Sequence, residues 1–238
     1  MRIVTAGSNH YKYRLTIDHT LESAKKFGYD TSVYDLGGLG IGAVVDDRRC
    51  DSPIRQPKFS LKPELALWSA EASTGTVAWI DGDAALIRNI DDIDQDDTFD
   101  VGFTVRPKAS VKKTHYINAG VFFVKCNDAA RRFMKIWIKT IIPPPEDLTI
   151  KHQGFCDQEV LEEKILLPVI GVSLWNIVGK VFVVNRARVK FFDCARYNNF
   201  WLHEQWVAPT PDTRILHFKN HSMKKLPAYR KEFLDGQS

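Results

Sequence analysis

The chain of 238 residues is short of the features that mark several large functional classes. Its four cysteines (Cys50, Cys126, Cys156 and Cys194) lie far apart with no C-x-x-C pair. That argues against a disulfide framework or a zinc site, and predicts buried free thiols in a reducing cytoplasm. Cys156 alone stands beside other polar residues, and no His–Cys signature surrounds it to activate a nucleophile. No apolar run approaches the ~20 residues that cross a bilayer, and the first strand-like stretch, residues 1–6, is too short for a signal segment. Charge of one sign is scarce: the net charge is +4 and the basic residues are scattered. Nucleic acid is therefore disfavoured as a partner, while a small anionic ligand is not. A usable glycine-rich phosphate loop is missing too. Gly37-Gly38-Leu39-Gly40-Ile41-Gly42 follows a predicted strand but leads into no helix, and matches neither a dinucleotide fingerprint nor a Walker loop. With residues 46–57 it is read as a mobile loop over the site. There is no internal repeat, low-complexity tract or linker, so the chain is expected to form one domain.

What is present is an ordinary soluble composition, 44% hydrophobic and 26% charged, with enough chain to bury a sizeable core. Residues 2–6 read as a strand, and Ile17, Leu21, Ala24 and Phe27 space a helix that Gly28 stops. Residues 31–36 read as a second strand, giving a β-α-β opening with a right-handed crossover. Residues 58–72 read as a helix with Pro63 in its first turn. Strands are expected at 100–105 and 181–185. Tyr116 to Gly120 is read as a small polar turn running into an apolar strand. Asn127 and Asp128 are expected to cap a helix over 129–142, ended by Pro143-Pro144-Pro145. The acidic stretch Asp91 to Asp97 is read as a solvated loop, residues 193–211 as aromatic and irregular, and Ile215 to Phe218 as a last strand end. Trp201 and Trp206 read as packing residues first and as stacking platforms for acceptor sugars second.

The stretch around which the rest is organised is Thr76-Val77-Ala78-Trp79-Ile80-Asp81-Gly82-Asp83. A short apolar run rich in β-branched and aromatic residues predicts a buried, parallel strand. Two carboxylates follow it, and ligands of open α/β sheets bind outside the carboxyl ends of strands. Two hard oxygen ligands suit Mg²⁺ or Mn²⁺ together with substrate phosphates, and Gly82 lets the backbone turn between them. On context alone the pair reads equally as such a site or as a capped turn.

The ordered blocks Asp81-Gly82-Asp83, Asn118-Ala119-Gly120-Val121, Asp157-Gln158 and His217-Phe218-Lys219-Asn220 resemble the GT-A glycosyltransferases. The closest resemblance is to the glycogenin/galactosyltransferase-like family 8 and its nucleotide-diphospho-sugar transferase relatives. The resemblance covers about three quarters of the chain. It implies an α/β fold: a single Rossmann-like GT-A domain with a mainly parallel central sheet flanked by helices. Residues 1–105 would bind the nucleotide sugar, 106–225 would bind the acceptor and carry the metal histidine, and 226–238 would form a tail. It implies a metal-dependent enzyme moving sugar from a nucleotide-diphosphate donor, a UDP-sugar, to a carbohydrate or glycoconjugate acceptor, with retention of configuration.

By the same resemblance Asp81, Asp83 and His217 would ligate Mn²⁺ or Mg²⁺, which stabilises the leaving diphosphate. Asn118 and Gly120 would contact the sugars, and Asp157 and Gln158 would flank the reacting centre. Thr5, Ala6 and Tyr11 would meet base and ribose, and Lys62 and Lys224 the diphosphate. Asn220 and the absent Pro-Trp depart from the family's ending, H-x-x-G-x-x-K-P-W, and Lys224 sits one place late in it. Two other readings stay open: a sugar nucleotidyltransferase, for which Gly7-Ser8-Asn9-His10 lacks the usual basic glycine-rich signature, and a catalytically silent sugar- or nucleotide-binding module.

Overall fold

A computed structural model describes residues 1–7, 11–35, 61–106, 116–141, 157–171, 176–202, 205–206, 209–218, 228–229 and 231–232. The expected loop at 37–57, the Pro143-Pro144-Pro145 stop and Lys224 lie outside these. The opening unit is as expected: β1 (Arg2–Gly7), α1 (Tyr11–Lys26) and β2 (Asp30–Asp35), with β1 and β2 parallel. Gly28 ends the helix at φ 78°, a conformation that costs glycine little. Next come α2 (Leu61–Glu71), β3 (Thr76–Ile80), β4 (Ala84–Leu86), α3 (Asp91–Gln95) and β5 (Val101–Val105). They are followed by β6 (Ile117–Lys125), α4 (Asp128–Ile141) and α5 (Asp157–Val160). A π-helical stretch, Leu161–Leu166, continues α5 into α6 (Leu167–Ile170). The chain then forms β7 (Val181–Val184), β8 (Ala187–Asp193), α7 (Cys194–Tyr197), β9 (Asn199–Leu202), β10 (Gln205–Trp206) and β11 (Ile215–His217).

Seven strands make the central sheet in the order β2-β1-β3-β6-β5-β8-β7. Five of the seven point one way, and β6 and β7 run against them. β3 is therefore parallel only to β1; its other neighbour, β6, is antiparallel. All five residues of β3 are buried because both faces are covered. Val77 and Trp79 join a core with α2, α4 and the π-helical stretch, while Ala78 and Ile80 join one with α1, β4 and α7. The α4 face comprises Ala130, Phe133, Met134, Trp137 and Ile141, and Asn127 Oδ1 accepts from Ala130 N at 2.9 Å as its cap.

Three sequence expectations are corrected. The acidic stretch is no solvated loop: it forms α3 and is tied down on several sides. Asp91 accepts from Tyr29, Asp92 from Arg196 and Tyr197, Asp94 from the N-terminal amine and Asp96 from Lys190. Burial opposes ionisation of Asp96, but the hydrogen bonds from Lys190 and Thr98 outweigh it and hold the carboxyl below its ordinary range. Residues 187–206, unassigned or read as irregular, contain β8, α7, β9 and β10. Tyr116 to Gly120 is largely not a turn: Ile117 already belongs to β6, and the polar residues lie inside the strand.

A smaller sheet, β10-β9-β11-β4, flanks the first. Its antiparallel β4–β11 pair sets His217 opposite Ala84, and Phe218 N donates to Asp83 O at 2.7 Å. The end of the chain's last described strand thus returns to the residues that follow β3.

Candidate metal and donor site

The site forms where β3 ends. Asp81 N donates to Gly120 O at 2.8 Å, which ties the first carboxylate residue to the middle of β6. β6 is irregular here. Phe103 of β5 pairs with Phe122 but the next residue, Thr104, pairs with Asn118, so Ala119, Gly120 and Val121 bulge away from β5. Gly120 is what lets the bulge fit. A Cβ there would overlap Cε1 of His217 and stand 2.8 Å from its Nδ1 and 3.1 Å from Asp81 Oδ2. Gly82 is also confined, since its Cβ would lie 2.9 Å from Ile17 Cγ1, 3.5 Å from Ala6 O and 3.6 Å from Thr5 Oγ1. The end of β1 and the Asp81–Asp83 turn are therefore adjacent, and the buried Thr5 Oγ1 has no hydrogen-bond partner among the described residues.

Asp81, Asp83 and His217 each offer a ligand atom, all within 4.8 Å of one another. His217 Nε2 stands 2.9 Å from Asp83 Oδ1 and 3.8 Å from Asp81 Oδ2, and the His217 side chain is fully buried. The donor chemistry fits a divalent metal: two hard carboxylates and one imidazole, clear of bulk on the Gly120 side. Around this trio Trp79 Nε1 donates to Asp81 Oδ1 at 2.9 Å, and Lys62 Nζ reaches Asp81 at 2.9 Å and Asp157 Oδ2 at 3.8 Å. Lys62 thus couples the carboxylate after β3 to the first residue of α5.

Asp157 and Gln158 are nearly buried, and Gln158 is also part of the scaffold. Its Oε1 accepts from Ala119 N at 3.2 Å and from Arg106 Nη2 at 3.4 Å. Asn118 is fully buried: its Oδ1 accepts from Gly120 N at 3.1 Å, while its Nδ2 has no hydrogen-bond partner among the described residues. Glu162 Oε2 accepts from Ile117 N at 3.0 Å. Burial pushes its carboxyl up to about 7, against the pull of the backbone donors and Arg106.

The expected residues Thr5, Ala6, Lys62, Asp81, Gly82, Asp83, Asn118, Gly120, Asp157, Gln158 and His217 are thus gathered at one end of β3 and β6. Tyr11 opens α1, its side chain lying outside the described residues. Sequence reasoning missed Trp79, Glu162 and Asn198. Trp79 could have been flagged by its place two residues before Asp81. Glu162 and Asn198 carry no local signal.

No family model matches the sequence, and no curated protein matches it. Solved structures do match across almost the whole chain. One is a glycosyltransferase involved in the glycosylation of the major capsid of PBCV-1, 14% identical with a TM-score of 0.60, covering 97% of this chain and 98% of that one. The galactosyltransferase LgtC in complex with donor and acceptor sugar analogs matches at 10% identity and a TM-score of 0.50, over 98% of this chain and 96% of its own. An active-site mutant of LgtC gives 11% and 0.51 over the same shares. The chain has the GT-A fold of these glycosyltransferases.

Proposed function

We propose that the chain is a metal-dependent glycosyltransferase that moves a sugar from a UDP-sugar to a carbohydrate or glycoconjugate acceptor, with retention of configuration. The observation that carries this reading is the convergence of Asp81, Asp83 and His217, their ligand atoms within 4.8 Å, at the carboxyl end of β3. These residues would hold Mn²⁺ or Mg²⁺, which supplies Lewis-acid neutralisation of the departing diphosphate. Residues 1–105 form the donor half, where Thr5, Ala6 and Tyr11 meet base and ribose. Lys62, at the start of α2, binds diphosphate with Lys224. In the acceptor half, 106–225, Asn118, whose Nδ2 has no hydrogen-bond partner among the described residues, binds a sugar hydroxyl, and Gly120 permits close approach. Asp157 and Gln158 flank the transferring sugar and stabilise positive charge at its anomeric carbon. Cys126 and Cys194 are free thiols, in keeping with a cytoplasmic setting. Among the described residues no helix is long and apolar enough to cross a membrane.

The test is a panel of sugar nucleotides mixed with enzyme and Mn²⁺, with released nucleoside diphosphate as readout. Release from one donor, abolished by chelation and restored by Mn²⁺ at least as well as by Mg²⁺, is expected. Full turnover after exhaustive chelation overturns the metal assignment. Tight binding of a sugar nucleotide without release from any donor makes the chain a binding module instead.

A further inference from the structure

His217 has two ring nitrogens with different neighbours. Nε2 faces Asp83 and Asp81, whereas Nδ1 lies 2.8 Å from Oδ1 of Asn198, a fully buried residue between α7 and β9. An imidazole facing carboxylates would by itself put its single proton on Nε2, toward them, and a ligating nitrogen must be bare. What decides is how the Asn198 amide is turned. Its Nδ2 lies 3.1 Å from Asn118 O, which can only accept, and 2.8 Å from Thr104 Oγ1. Thr104 Oγ1 spends its own proton on Asn118 O at 2.8 Å, so it too accepts from Asn198. Turning the amide over would let Nδ2 donate to a bare Nδ1, but only by setting oxygen against oxygen at Asn118. With Nδ2 committed, only the carbonyl oxygen is left for Nδ1, which must then carry a proton.

We infer that Asn198 is a positioning residue that keeps a proton on Nδ1 of His217, leaving Nε2 as the nitrogen that would ligate a metal between Asp81 and Asp83. The inference rests on the metal reading for its consequence but not for its geometry. It joins the β6 bulge to the ligand set: the carbonyl of Asn118 orients Asn198, which orients His217. Partners of this kind typically change metal affinity about 10–100-fold when removed.

Two measurements test it. The first is a long-range proton–nitrogen correlation spectrum of ring-labelled protein at about pH 9, with Mg²⁺ and UDP as diamagnetic probes and His217→Gln to assign the signal. A protonated Nδ1 in the wild type is expected; a bare Nδ1 overturns the proposal. The second is Mn²⁺ affinity in the presence of UDP, read from the free-ion electron paramagnetic resonance signal. Asn198→Leu should bind Mn²⁺ about 10–100-fold more weakly. Asn198→Asp should retain most of the affinity, because its carboxylate still accepts from Nδ1 though it cannot donate to Asn118 O. Equal losses in both variants, or none in Asn198→Leu, overturn the proposal, since the first means that Asn198 acts only through its donor bonds. If Asn198→Leu fails to fold, the wild-type spectrum and Asn198→Asp still decide. Wild type that binds no Mn²⁺ yet keeps Nδ1 protonated refutes the metal reading and leaves the positioning role standing.

Discussion

Replacing Gly120 with alanine tests whether the site is built as described, because it adds one methyl group and changes no charge. Gly120 lies outside the left-handed region, so backbone strain does not enter. The added carbon would overlap His217 Cε1 and crowd Asp81 Oδ2 at 3.1 Å. The ring cannot give way cheaply, since its Nδ1 is held by Asn198, its Nε2 faces Asp83, and its backbone is paired on both sides by β4 and β9. Displacing it forfeits the Nδ1 hydrogen bond to Asn198, leaves the buried Asn198 oxygen unpaired and strains the packing around the ring, on the order of 3 kcal/mol in all. In a domain of this size that lowers Tm by about 6–12 °C. The decisive assay is a double-mutant cycle with His217→Ala, followed by urea denaturation without metal. Once the ring is gone the methyl has room, so Gly120→Ala should cost under about 1 kcal/mol, a coupling near 2 kcal/mol. The same cost in both backgrounds would mean that His217 does not lie against Gly120, and the ligand geometry would fall with it.

Two other perturbations separate charge from shape. Asp83→Asn preserves size and hydrogen bonding, so Tm in chelator should stay within a degree or so of wild type or rise, while turnover falls at least about a hundredfold. Mn²⁺ with UDP should raise the Tm of wild type clearly and of the variant weakly; near-normal turnover with an intact shift would demote Asp83 to a turn cap. Glu162→Gln probes the buried carboxyl under β6. Its folded value of about 7 lies above the ordinary 4.5, so the native state binds this proton more tightly than the unfolded chain does. The resulting stability is fully present below about pH 4.5 and is lost as pH rises through about 7, a difference of about 3 kcal/mol. Glutamine can still accept from Ile117 N and removes that dependence, so the variant should gain on wild type as pH rises from 5 to 8, in paired denaturation curves. A constant difference between the two across this range would refute the assignment.

The parts of the fold that could be read from sequence are those whose signal is local. Four consecutive apolar residues, Val77 to Ile80, mark β3, and Phe133 and Trp137, one helical turn apart, mark the buried face of α4. The β7–β8 hairpin was only half legible because its turn, Asn185-Arg186, takes φ values of 52° and 65° without a glycine to announce it. The acidic segment misled for a different reason. Charge predicts solvent exposure only when no partners arrive, and here they come from as far away in sequence as Arg196 and Tyr197.

The site itself divides the same way. Its ligand types were legible, since carboxylates after a strand and a histidine at a strand end are local facts. The pairing of Asp83 with His217 across 134 residues has no local signal and was expected only from the family resemblance. Least legible was the reason the middle blocks exist. Along β6 the inward residues run Ile117, Ala119, then Phe122, Val124, so the alternation slips by one at the bulge. The irregularity around it leaves backbone donors without strand partners, and side chains take them: Glu162 for Ile117, Gln158 for Ala119 and Asn118 for Gly120. The Asn-Ala-Gly and Asp-Gln blocks are therefore one structural unit before they are a binding surface. Its product is a Cβ-free backbone position against which His217 can lie beside two aspartates. That is why a turn read into Tyr116 to Gly120 missed the point: the segment needs the rigidity of a strand and the local freedom of a bulge at once, and only its partners from β5, α5 and the π-helical stretch reveal both.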